Sequence, residues 1–188
     1  MKRRSFLRAV ASVAPAVAVP GLVLAGQAPT RPASPALPCE LHLVGAGEDR
    51  IGKPHSLGFS TFCFKVTSAE TGGRLFLMEH REMQAGGGPD LHLHWNQEEW
   101  FYVMEGEVAF VIGEQRLHLR AGESVLAPRR VQHTFSSVGP APGRMMIGFC
   151  PAGKMELFFL DKEDPAAPKR APGFYETEQI GPSPFWKA

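Results

Sequence analysis

His92 and His94 stand two residues apart, Glu99 follows His94 after a gap of four residues, and His133 answers them far downstream. On a β-strand, side chains two apart leave the same face, so His92 and His94 point together. The gap before Glu99 is long enough for a short turn ahead of the next strand-forming run, which begins at Trp100 and continues to Met104. Three imidazoles and one carboxylate form a borderline donor set. Such a set suits Mn, Fe, Co, Ni, Cu or Zn and leaves coordination positions open for water or substrate. His92, His94, Glu99 and His133 are therefore the candidate metal ligands. Glu99 and its neighbour Glu98 are the candidate catalytic carboxylates, and Glu98 is also the rival to Glu99 as ligand.

Short runs of β-forming residues recur at Phe59–Val66, Leu75–Met83, Trp100–Met104, Val108–Ile112, Gln115–Arg120, Ser124–Ala127, His133–Ser136 and Met145–Phe149. Turn residues separate them, among them Thr71-Gly72-Gly73, Gly86-Gly87-Gly88-Pro89 and Ala121-Gly122. This rhythm predicts an all-β sandwich or barrel, and no long helical period interrupts it. Glu105-Gly106 and Gly113-Glu114 each sit at two-residue hairpin spacing between alternating runs. A jelly-roll barrel fits best. One short helix is expected over Lys154–Leu160.

The glycines around the candidate ligands carry a further signal. Gly86, His92, His94, Glu99 and Gly106 read as G-x5-H-x-H-x4-E-x6-G, which resembles the first motif of the cupin superfamily without a gap. Gly122, Pro128 and His133 resemble the second motif, with Arg130 where the family has Gly and Ser137 where it has Asn. The Arg130 departure bears on the backbone angle of a turn, and neither departure touches a ligand. The resemblance implies a double-stranded β-helix. Over roughly residues 57–163 the chain looks like single-domain bacterial cupins related to quercetin dioxygenases. That likeness implies a metal-dependent dioxygenase-type oxidoreductase acting on a small aromatic or enolic substrate. Cupins also include non-catalytic metal or small-molecule binders and metal-dependent lyases or isomerases, so the fold alone does not choose among them.

The N-terminus belongs to a different argument. Lys2-Arg3-Arg4-Ser5-Phe6-Leu7-Arg8 precedes an apolar, Ala/Val-rich run from Ala9 to Ala25. A basic start, a short apolar stretch and small residues at its end describe a signal peptide spanning residues 1–25. The paired arginines before x-Phe-Leu resemble the twin-arginine export signal, with Lys2 in place of the usual Ser or Thr. That resemblance implies the twin-arginine machinery as partner, a periplasmic destination and a protein exported already folded. Metal acquired during folding in the cytoplasm, where copper and zinc are scarce, favours Fe or Mn, with Ni, Cu or Zn as alternatives. Pro15, Pro20 and Gly21 break the apolar run and argue against a stable membrane anchor.

Removing residues 1–25 from the chain of 188 leaves 163, enough for one domain. The formal charge falls from +1 to −3 once Lys2, Arg3, Arg4 and Arg8 are gone, and nothing resembles a nucleic-acid-binding stripe. Residues 26–40 are Pro/Ala-rich and read as a linker, residues 41–163 as the barrel, and residues 164–188 as an irregular tail packing on it through Phe174, Tyr175, Phe185 and Trp186. Of Cys39, Cys63 and Cys150, the last two read as small buried apolar thiols. His118 reads as solvent-facing and His80 as a candidate for the barrel interior. Arg129 and Arg130 flank the approach to His133. Phe101, Val103, Phe110 and Phe135 are the expected aromatic and apolar lining of a substrate cavity. A homodimer is expected through the edge formed by residues 41–66, and a small-molecule substrate is the other expected partner.

Overall fold

The computed structural model describes residues 42–185. The signal-like segment 1–25, the linker, Cys39 and Trp186 lie outside the described residues. Eleven strands and one helix follow in order: β1 His55–Ser56, β2 Thr61–Val66, β3 Phe76–Met83, β4 Leu91–His94, β5 Glu98–Glu105, β6 Glu107–Ile112, β7 Gln115–Arg120, β8 Ser124–Ala127, β9 His133–Val138, β10 Gly143–Cys150, α1 Met155–Glu163 and β11 Thr177–Gly181. They build a six-stranded sheet in the order β1-β2-β3-β10-β5-β8 and a five-stranded sheet in the order β11-β4-β9-β6-β7. All named strand pairs are antiparallel. This is the expected all-β, double-stranded β-helix with one short helix.

Alternation decides which side chains reach the interior. Along β5 Glu99, Phe101 and Val103 are buried, while Trp100 and Tyr102 between them stay partly exposed. Phe62 and Phe64 on β2, Phe76 and Met78 on β3, and Met145, Ile147 and Phe149 on β10 complete the interior of the larger sheet. Phe110 and Phe135 meet them from the smaller sheet. Burying each such side chain contributes roughly 1.5–3 kcal/mol, the term that holds the two sheets face to face.

β9 is buried on both sides, from His133 through Ser137. The loop before β4 covers its second side: Thr134 donates to the Pro89 carbonyl at 2.7 Å, and a Cβ on Gly88 would lie 1.9 Å from the Phe135 carbonyl oxygen. Only glycine permits that approach, which ties the loop to β9 and sets where β4 begins.

Three local expectations need correction. Glu105-Gly106 is not a hairpin: β5 pairs with β10 and β8, whereas β6 pairs with β9 and β7, so the turn carries the chain from one sheet to the other. Turn chemistry is local, and it cannot say which strand a new strand will join. Gly113-Glu114 does close a hairpin between β6 and β7, with Ile112 opposite Gln115 and a φ of 58° at Gly113. Cys63 is buried, but Cys150 is exposed, because the end of β10 turns it to the outer face opposite Glu98. The tail is not wholly irregular, since β11 extends the smaller sheet beside β4.

On the outer side of β3, Glu79 is 2% exposed and holds Arg144 at 2.6 Å and Lys65 at 3.1 Å. Burial would raise its pKa, but hydrogen bonds from Arg144 and Lys65 and their charges lower it below the ordinary value of 4.5. A carboxylate so held stabilises the fold above its ordinary pKa and loses that contribution as pH falls through the lowered one. Glu79→Gln should therefore cost about 2 kcal/mol at neutral pH. In thermal unfolding across pH, the gap to wild type should narrow below pH 4.5. A gap that does not change with pH would contradict this account.

Candidate metal centre

Both sheets deliver side chains to one point. β4 and β9 lie side by side in the smaller sheet with His92 directly opposite His133, and His94 lies two residues further along the same face. β5, in the larger sheet, brings Glu99 across the barrel, flanked on its neighbouring strands by Ala127 and Phe149. The ligand atoms of His92, His94, Glu99 and His133 all lie within 4.8 Å of one another. Glu99 Oε2 is 2.8 Å from His133 Nε2, 2.9 Å from His94 Nε2 and 3.8 Å from His92 Nε2.

The surroundings orient these groups. The Nδ1 atoms of His92 and His133 hydrogen-bond the carbonyls of Asp90 and Val131, each at 2.8 Å, and so turn Nε2 inward. Outer partners of this kind fix the tautomer and direction of metal-ligating histidines. His94 Nδ1 is buried with no partner among the described residues. Ring packing holds it instead: Phe149 meets its edge with centroids 5.5 Å apart.

Protonation follows from burial and proximity. Burial opposes ionisation of Glu99, yet hydrogen bonds to His133 and His94 and the nearby His92 ring hold its pKa well below the ordinary carboxylate value. Burial lowers the pKa of His94 against the pull of Glu99, while at His92 the nearby Glu99 carboxylate and the hydrogen bond to the Asp90 carbonyl outweigh burial and raise it. An ionised Glu99 and a neutral His94 are in the states that bind a metal. Donor type, number, convergence and charge thus fit one divalent transition ion.

Glu98 is not brought to this cluster. The strand alternation that sends Glu99 inward sends Glu98 outward, where Arg129 clasps its carboxylate through two hydrogen bonds of 2.5 and 2.6 Å. Arg129 is thereby committed to Glu98. Arg130 adopts a φ of 63°, the left-handed angle for which glycine is suited, so the turn keeps its shape with a bulkier residue. Its backbone N–H donates to the His94 carbonyl at 2.7 Å and ties that turn to the ligand strand. Ser137 is buried under Gly143, whose Cβ, if present, would lie 2.8 Å from the Ser137 hydroxyl. His118 faces solvent beside Glu107.

The cluster opens on a cavity of about 580 Å³. Phe135 lines it as expected. Phe101, Val103 and Phe110 do not; they pack the barrel beyond the cluster, with Phe101 against Phe110 and Phe135. The aromatic wall comes from Phe59, Phe149, Phe158 and Phe159. α1 adds Met155 and Lys162, and β11 adds Thr177 and Gln179. His80 also lines it. Sequence reasoning missed the contributions of α1 and β11, since neither carries a motif. The adjacent Phe158-Phe159 pair was the available signal.

Residues 79–149 match the family model for the cupin domain. The chain is 33% identical over 85 residues to polyketide synthase CurC of Streptomyces cyaneus, covering 45% of this chain and 55% of that protein. It is 24% identical over 123 residues to tetracenomycin polyketide synthase protein TcmJ of Streptomyces glaucescens, covering 65% of this chain and 82% of the other. A solved RmlC-like cupin from Shewanella frigidimarina is similar with a TM-score of 0.48 at 21% identity, covering 55% of this chain and 87% of that one. Together with the two-sheet fold built above, the match over residues 79–149 supports a place for this chain in the cupin superfamily.

Proposed function

We propose that this protein is an exported, metal-dependent oxidoreductase of dioxygenase type acting on a small aromatic or enolic substrate. The observation that carries the reading is the junction of a four-donor metal cluster with an aromatic cavity of about 580 Å³. A bound Fe or Mn ion would supply open positions for a substrate oxygen and for O₂. The chain's own residues do the rest. Phe59, Phe135, Phe149, Phe158 and Phe159 form apolar walls suited to a flat ring, and such walls exclude bulk water. Glu99 is ionised and supplies charge of the sign a cation needs.

The names of the two Streptomyces relatives attach those proteins to polyketide synthesis. That observation favours a second reading, in which a cupin of this type binds or rearranges an enolic substrate without consuming O₂. Export by the twin-arginine route to the periplasm and a homodimer formed through residues 41–66 belong to the same proposal. They rest on the N-terminal sequence and on the short edge strand β1.

Three outcomes follow. His94→Ala and His133→Ala should each abolish stoichiometric metal in elemental analysis of protein isolated from its own host; full metal in both would reject the site. Protein loaded with Fe, Mn, Ni or Cu should consume O₂ with a flavonol or catechol, and Glu99→Ala should stop it. Uptake at the blank rate across all four metals would hand the case to the second reading. Replacing Arg3 and Arg4 together with Lys should hold the precursor in the cytoplasm, seen by fractionation, whereas normal export would reject the twin-arginine route.

A further inference from the structure

His80 sits on β3 in the inward row with Phe76 and Met78, opposite Phe62 on one neighbouring strand and Met145 on the other. Every side chain around it in that row is apolar, so a histidine there needs a reason. Its ring stacks on Phe59 with centroids 6.1 Å apart and on Phe62 at 5.8 Å, and meets Phe135 and Phe159 edge-on. Nδ1 hydrogen-bonds the Ser60 hydroxyl at 2.9 Å. Among the described residues the Ser60 hydroxyl is the hydrogen-bond partner seen for this ring, and it meets Nδ1. The side chain is 2% exposed, and the surface it does show faces the cavity that also contains His92, His94 and Glu99.

In this aromatic cage one nitrogen of the imidazole has a protein partner and the other is left to the cavity the ring lines. Burial drives its pKa down to about 4 despite the opposing pull of Glu99, so the ring is neutral at physiological pH. A neutral imidazole carries one N–H and one lone pair. The Ser60 hydroxyl can accept from Nδ1 or donate to it, so Nε2 presents the remaining lone pair or N–H to whatever fills the cavity. A hydroxyl group is the simplest partner that satisfies it without adding charge to an apolar wall.

We propose that His80 binds the substrate, forming through Nε2 a hydrogen bond with a hydroxyl while other oxygens of the same molecule approach the metal ligands. This rests on the reading of the cavity as a substrate site and narrows it to a polyhydroxylated ring or enol. Ser60 is the positioning residue that fixes the ring's orientation.

The test uses the full chain loaded with zinc, which binds without turning over, and pyrogallol under anaerobic conditions as the probe. His80→Phe should weaken pyrogallol binding by about tenfold in calorimetry with zinc content unchanged. His80→Gln, which keeps an acceptor, should lose only about threefold, and Ser60→Ala should fall between the two. In the wild type, the ¹⁵N resonance of His80 Nε2 should move when pyrogallol is added, a signal that a purely structural histidine would not give. Pyrogallol bound to the wild type with that resonance unmoved, or bound equally well by zinc-loaded His80→Phe, overturns this inference alone. Failure of the zinc-loaded wild type to bind pyrogallol counts against both the substrate-site reading and this one. If His80→Phe does not fold, the resonance decides.

Discussion

A carboxylate buried between two β-sheets is costly, and Glu99 is 3% exposed. The structure offsets that cost by surrounding Glu99 with three imidazoles, two of them within 2.9 Å of a single carboxylate oxygen. Much of the barrel is arranged to make this meeting happen. β5 must present Glu99 inward, β4 must present two histidines on one face, and β9 must lie beside β4 with His133 opposite His92. Shifting β4 by one residue would send both of its histidines to the other side. The Gly88 approach to Phe135 and the Arg130 turn both pin that register.

The same arrangement explains why the cavity lies where it does. The interior beyond the cluster is filled by Phe101, Val103 and Phe110, leaving the open space on the other side, toward α1 and β11. The walls of that space are therefore supplied partly by segments outside residues 79–149. β11 pairs directly with β4, placing Thr177 opposite His94 and Gln179 opposite His92. The tail thus contributes to the same inward row as two ligands. Residues 79–149 supply the cluster, and segments outside them shape what can reach it.

The sequence made some of this legible and left the rest hidden, for physical reasons. His92 and His94 could be paired because their spacing fixes strand parity, and Glu99 and His133 could be joined to them because the motifs that hold them resemble those of the cupin superfamily. The strands could be placed because alternation and glycine-rich turns are local signals, and Gly113-Glu114 shows such a signal read correctly. Glu105-Gly106 shows its limit, since which sheet a strand joins is settled by tertiary packing. The cavity lining was misjudged for a related reason. Phe101 and Val103 share parity with Glu99, but parity gives the face and not the depth along the strand. The outward turn of Glu98 toward Arg129 follows from the parity that sends Glu99 inward. β11 carries no motif, and its pairing with β4 joins positions far apart in the chain.

The claim on which everything else depends is that these four side chains share one metal ion. Anomalous diffraction from crystals of the manganese- or iron-loaded protein tests it directly. The account predicts a single strong site bonded to Nε2 of His92, His94 and His133 and to the Glu99 carboxylate, at about 2.0–2.2 Å. An ion bound elsewhere, or an ordered cluster that takes up no ion under saturating metal, would contradict it.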